Sequence, residues 1–147
     1  MLTTDATDLV NKGLDALDRD LIYLAQSCFE QAIEQEKSPT ACSFLAYCLA
    51  KTRKEYAKAI ALAEEALASE PANATYHLNL GRIYLMAGDK GHALQILRKG
   101  MQQGGDPQIL AELELHGTRK PPIFPSLPRN HPLNKFAGLI LSRLGLK

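Results

Sequence analysis

AIALAEEAL, residues 59–67, has two counterparts in the chain: AQSCFEQAI, residues 25–33, and ALQILRKGM, residues 93–101. Ala25, Ala59 and Ala93 stand 34 residues apart, and so do Ala32, Ala66 and Gly100. Each stretch places apolar or small residues at i, i+4 and i+7, the spacing of one helical face. Three such faces in register at a fixed period imply a stacked array of like units, none of which could bury its apolar face alone.

About a dozen residues upstream of each stretch, Gly13, Ala46 and Gly81 mark a second helix per unit. Two antiparallel helices joined by a short turn approach closely only where neither presents a bulky side chain, so their crossing points call for glycine or alanine. The spacing is 33 residues from Gly13 to Ala46 and 35 from Ala46 to Gly81. The slip is expected in KTRKEY, residues 51–56, where one additional residue lengthens a loop and leaves both helices intact. DRD at 18–20 and MAGDKG at 86–91 read as turns, and Pro39, Pro71 and Pro107 as breakers near unit ends.

With these residues the chain resembles the tetratricopeptide repeat family, whose pattern runs W-x2-L-G-x2-Y, A-x3-F and P over 34 residues. The third unit matches with His77, Leu80, Gly81, Tyr84, Ala93 and Leu97; the first with Gly13, Ala25, Phe29 and Ala32; the second with Leu45, Ala46, Ala59, Ala63, Ala66 and Pro71. Lys12 and Ala16 depart from the leucine and tyrosine places of the first unit, and Pro107 comes two residues late. The resemblance implies an all-α fold: a right-handed superhelix of antiparallel helix pairs at about 6–38, 39–72 and 73–105. A capping helix is expected at 106–117, opened by Asp106 and Pro107 and closed at Gly117.

The remaining residues differ in kind. RKPPIFPSLPRNHPLNKF, residues 119–136, has five prolines and no acid. Residues 118–131 read as a semi-rigid strap reaching on the order of 40 Å in a polyproline-like course. Residues 132–147 read as an amphipathic C-terminal helix whose stripe Leu133, Phe136, Ile140 and Leu144 needs a docking site. Residues 1–116 carry 11 lysines and arginines against 16 acids, a balance of −5, while residues 117–147 carry six cations and no acid. Attraction between an acidic body and a basic tail favours docking on the chain's own array or on a second copy, a homodimer.

Several function classes lose support at this level. The N-terminal residues lack the basic and apolar regions of a secretory leader, and no apolar run approaches the ~20 residues of a spanning helix, so the expected location is the cytoplasm. Cys28, Cys42 and Cys48 show no CxxC spacing and fall in helical segments, where they read as buried thiols. The four histidines form no metal-binding pair, and no phosphate loop or nucleophile elbow is present. The chain is therefore read as no enzyme, with no cofactor and no metal. Six basic residues without interleaved aromatics, beside an acidic body, argue against nucleic acid as partner.

In the family, the first helix of each repeat lines a concave side that holds peptides or partner helices. The resemblance places that lining at Val10, Leu14, Leu17 and Asp18, at Thr40, Ser43, Tyr47, Ala50 and Lys51, and at Thr75, Leu78, Arg82, Leu85 and Met86. Family members that grip acidic chaperone tails use a clamp of lysines, asparagines and arginine. Its places here are held by Val10, Leu14, Phe44, Thr75 and Asn79, with no cation, so chaperone-tail binding is disfavoured. The expected function is a protein-interaction scaffold that binds a peptide or partner helix in its groove, with the C-terminal helix as docking or dimerisation element. The alternatives are a small secretion or assembly chaperone holding apolar client segments, and a peripheral membrane adaptor.

Overall fold

The computed structural model describes residues 4–117. They form seven α-helices: α1 (Ala6–Asp18), α2 (Ile22–Gln35), α3 (Pro39–Arg53), α4 (Tyr56–Ser69), α5 (Ala74–Met86), α6 (Lys90–Gln102) and α7 (Pro107–Gly117). The strap and the C-terminal helix, with Leu133, Phe136, Ile140 and Leu144, lie outside the described residues. Helices pair as α1 with α2, α3 with α4 and α5 with α6; α2 then packs on α3, α5 on both α3 and α4, and α7 on α6.

Local chemistry starts the odd-numbered helices. Asp5 accepts from the Asp8 amide at 2.8 Å, Ser38 from Ala41 at 3.2 Å with Pro39 in the first turn, and Asn73 from Tyr76 at 3.3 Å. Asp106 accepts from the Gln108 amide at 2.7 Å. Each side-chain oxygen satisfies one amide that the helix itself cannot. By contrast, α2 and α4 have no side-chain cap. They are held by what they pack against.

Phe29, Ala63 and Leu97 occupy one position of the 34-residue period; Phe29 meets Gly13 and Leu97 meets Gly81, and Ala63 shares a core cluster with Ala46. A Cβ on Gly13 would stand 2.6 Å from the Phe29 ring, and one on Gly81 would stand 2.6 Å from Leu97. The larger side chain therefore fills the space glycine leaves, whereas the second unit has alanine at both positions, each fully buried.

Two polar pairs fasten α3 to α5 at one-turn spacing. The Thr40 and Tyr76 hydroxyls lie 2.7 Å apart, and the Asn79 Nδ2 donates to Ser43 Oγ at 3.0 Å in a fully buried setting. All three cysteines are buried, as the sequence implies, and burial pushes the Cys48 thiol up to about 12. A thiol held neutral in this way is a packing group.

The extra residue of the second unit does not lengthen a loop. Instead α3 has 15 residues against 13 in α1 and α5, and its turn shrinks to Lys54 and Glu55. Lys54 makes this possible by adopting a left-handed conformation, φ 54°. The other two turns contain Asp20 at φ 60° and Gly88 at φ 83°, so each pair turns on one such residue. Only Gly88 adopts it without steric cost. Lys54→Gly is accordingly expected to stabilise the protein by about 0.5–1 kcal/mol, read as a rise in the thermal midpoint of a few degrees.

Candidate functional site

A continuous trough runs along the inner side of the array. One end, a depression of about 430 Å³, is lined by Leu14, Leu17 and Asp18 of α1, Asp20 and Ile22 of the following turn and helix, and Phe44, Tyr47 and Lys51 of α3. Thr75, Leu78, Asn79 and Arg82 of α5, with Asp106 and Gln108 at the start of α7, complete it. Tyr47, Lys51 and Arg82 continue into a second depression of about 470 Å³ with Leu85, Met86, Glu112 and His116. The alternation of helices in each pair explains the arrangement: the odd-numbered helices stack on one side and the even-numbered helices form the back.

Of the residues expected to line a groove, Leu14, Leu17, Asp18, Tyr47, Lys51, Thr75, Leu78, Arg82, Leu85 and Met86 come together here. Val10 and Thr40 flank a separate depression of about 370 Å³ beside Leu14. Ser43 is a correction. It is fully buried, its hydroxyl bonded to Asn79, so it joins α3 to α5 and offers nothing to the trough. Ala50, also buried, belongs to the core.

Sequence reasoning missed the wall supplied by α7. Arg82 donates through Nε to Glu112 at 3.0 Å and through its guanidinium to Gln108 at 3.1 Å, which ties α7 across the trough to α5. His116 stands 3.5 Å from the other Glu112 oxygen. The signal available was the spacing of Gln108, Glu112 and His116 at i, i+4 and i+8, a polar stripe on a helix otherwise read as a cap.

Charge is distributed unevenly along the trough. The Arg82 cation is already matched by Glu112, and Lys51 lies 5.7 Å from the centre of the Tyr47 ring. Asp18 and Asp20, both exposed, take part in no ion pair among the described residues. The lining is therefore mixed: Leu14, Leu17, Phe44, Tyr47, Leu85 and Met86 alternate with comparable polar surface, Arg82 is matched by Glu112, Lys51 keeps its charge over the Tyr47 ring, and Asp18 and Asp20 add acid.

Residues 52–113 match the family model described as tetratricopeptide repeat. The described array has the fold of a tetratricopeptide repeat domain. Among solved structures, the Sgt2 tetratricopeptide repeat domain from Aspergillus fumigatus is similar at 23% identity, covering 78% of each chain with a TM-score of 0.66. The first such domain of Spaghetti (RPAP3), bound to the HSP90 peptide SRMEEVD, matches 80% of this chain and 94% of its own, at 14% identity and TM-score 0.64. The second domain of human RPAP3, in complex with the HSP70 peptide SGPTIEEVD, covers 78% and 96% at 16% identity and TM-score 0.62. No curated protein matches the chain significantly. Tetratricopeptide repeats are a protein-interaction fold. No helix among the described residues is long and apolar enough to cross a membrane.

Against the clamp pattern, this trough differs at the places that matter. Phe44 stacks on Phe29 with ring centres 5.7 Å apart, and Asn79 spends its amide on Ser43. Val10, Leu14 and Thr75 add no cation. Asn79, the only asparagine at these places, is thus absorbed into the α3–α5 joint, and Phe44 into the core.

Proposed function

We propose that the protein is a non-catalytic interaction module that takes the apolar face of a helix, or an extended apolar peptide, in its concave trough. The observation that carries this reading is the run of partly exposed apolar and aromatic side chains from Leu14 and Leu17 through Tyr47 to Leu85 and Met86, walled by α7, with Leu78 buried beneath them. Such a floor gains free energy by removing apolar surface from water, at about 25 cal/mol per Å² before the cost of association. Acidic chaperone tails of the SRMEEVD kind, bound by a neighbour of similar fold, lack their cationic anchors here. Asp18 and Asp20 repel them further.

The test uses two fluorescent peptides titrated with the full chain: an apolar amphipathic helical peptide and SRMEEVD. Binding of the first at least tenfold tighter than the second is expected. Leu85→Asp should weaken the first by at least tenfold while leaving the thermal midpoint within a few degrees, because Leu85 is only partly buried. Tighter binding of SRMEEVD, or indifference to Leu85→Asp, overturns the reading. Holding an apolar client segment, as an assembly chaperone does, uses the same trough. The adaptor reading depends on the C-terminal helix, outside the described residues.

A further inference from the structure

We propose that the partner taken in the trough is a basic amphipathic helix, seated with its cationic end among Asp18, Asp20 and Asp106 and its apolar end over Leu85 and Met86. The inference rests on the trough being a groove for the apolar face of a helix, and it adds the charge that helix carries and the end at which the charge sits.

The repeat itself sets out the pattern. Gly13, Ala46 and Gly81 share one place in their units, so Leu14, Tyr47 and Arg82 share the next place, and Asp18, Lys51 and Met86 the place four residues further on. All six line the trough. Residues i and i+4 lie on one face of a helix, so a ligand laid across α1, α3 and α5 meets these six side chains as two parallel rows. Along one row the chemistry runs from leucine to tyrosine to guanidinium, and along the other from carboxylate to ammonium to thioether. The two ends of the trough are therefore chemically different.

Charges already matched within the array leave an acidic excess at one end. Arg82 is bonded to Glu112 and Gln108, and the Lys51 ammonium stands over the Tyr47 ring with the Tyr47 hydroxyl 3.4 Å away. Asp18, Asp20 and Asp106 take part in no ion pair among the described residues. All three line the 430 Å³ depression, Asp18 and Asp20 from the first helix pair and Asp106 from the start of α7. One Asp106 oxygen accepts from the Gln108 amide, which leaves the carboxylate further acceptor sites. A concave surface with low-dielectric walls focuses the field of such groups on whatever enters it. The second depression lacks this excess, because its carboxylate, Glu112, is taken by Arg82, and Leu85 and Met86 stand beside the pair.

The dimensions suit a short helix. Ranks of helices at ~8–10 Å put the Asp18 and Met86 places roughly 16–20 Å apart, the length of about 11–13 helical residues. Basic residues within one terminal turn of such a helix reach the aspartates while its apolar face covers the rest. An acidic ligand drawn by Lys51 is the rival. It would bring its carboxylates beside Asp18, the neighbour of Lys51 in the same row, and one exposed lysine does not offset three carboxylates.

A double-mutant cycle tests the assignment. The apolar amphipathic helical peptide above is made with glutamine pairs in its first and last turns, then with lysines replacing the pair in the first turn or in the last, so that both chain directions are covered. Each peptide is titrated with the full chain and with the full-length variant Asp18→Asn/Asp20→Asn. Both side chains are exposed, and asparagine tolerates the left-handed backbone of Asp20, so the thermal midpoint should stay within a few degrees. At 50 mM salt one lysine peptide is expected to bind the full chain at least tenfold more tightly than the glutamine form, and to lose most of that advantage at 500 mM. In the variant the advantage should fall to threefold or less, with affinity for the glutamine form unchanged. An advantage below tenfold for both lysine peptides overturns the charge assignment; if the glutamine form still responds to Leu85→Asp, the groove itself stands. An advantage above threefold in the variant assigns the attraction to other acids of the array and overturns the proposal as well. If no peptide binds, the groove reading falls and this inference with it.

Discussion

Phe29→Ala is expected to cost about 3–5 kcal/mol of folding stability, read as a fall of roughly 2 M in the urea midpoint with little change in slope. Phe29 is fully buried, its ring edge against the backbone of Gly13 and its face stacked on Phe44. Removing the ring leaves a cavity at the junction of α1, α2 and α3, and the glycine opposite has no side chain to move into it. A second change separates this account from a generic loss of an aromatic. Gly13→Leu alone should destabilise, because even a Cβ there lies 2.6 Å from the ring. Combined with Phe29→Ala it should recover part of the loss, with a coupling of about 1–2 kcal/mol of opposite sign to the single changes. The third unit already uses that solution, glycine against leucine at Gly81 and Leu97. Additive destabilisation would show that the two positions do not share one space.

The same residues explain which parts of the architecture are legible in the sequence. Gly13, Ala46 and Gly81, and the series Phe29, Ala63 and Leu97, report a contact made inside each helix pair, so the contact repeats with the chain and leaves a period. Lys54 leaves no such trace. A lysine in a left-handed turn looks like any other surface lysine, so the sequence points to a loop for the extra residue that α3 takes up. Ser43 was misplaced for a related reason. Thr40, Ser43 and Tyr47 share a helical stripe, but which edge of that stripe faces α5 depends on Asn79, 36 residues on, and pairing between repeats is tertiary information. Gln108, Glu112 and His116 look in sequence like the solvent side of a capping helix, whereas the Arg82 pair turns their polar stripe toward the trough.

That dual role of α7 makes Gly100→Val the change with the sharpest functional consequence. A Cβ at Gly100 would stand 2.7 Å from the Cβ of His77 and 2.9 Å from Ile109 of α7. His77 cannot yield, being buried with its Nδ1 2.9 Å from the Asn73 carbonyl, so the helix that gives way is α7. Ala32 and Ala66, at the same phase, carry their Cβ atoms fully buried, whereas Gly100 is pressed from both sides, by His77 of α5 and by Ile109 of α7. Overpacking of this kind costs about 1–3 kcal/mol, and valine recovers only a few tenths through its better helix propensity than glycine. Because each unit of a stacked array touches only its neighbours, the loss should stay local. Amide hydrogen exchange is expected to accelerate at least tenfold across Leu110–Gly117 and to remain unchanged in α1 to α4. The apolar peptide should bind at least tenfold more weakly, because displacing α7 breaks the Arg82–Glu112 pair and removes the wall that Glu112 and His116 supply. Uniform acceleration through all seven helices would instead mean that α7 unfolds only with the whole array, and the trough would then owe its wall to global stability and not to the one junction at Gly100.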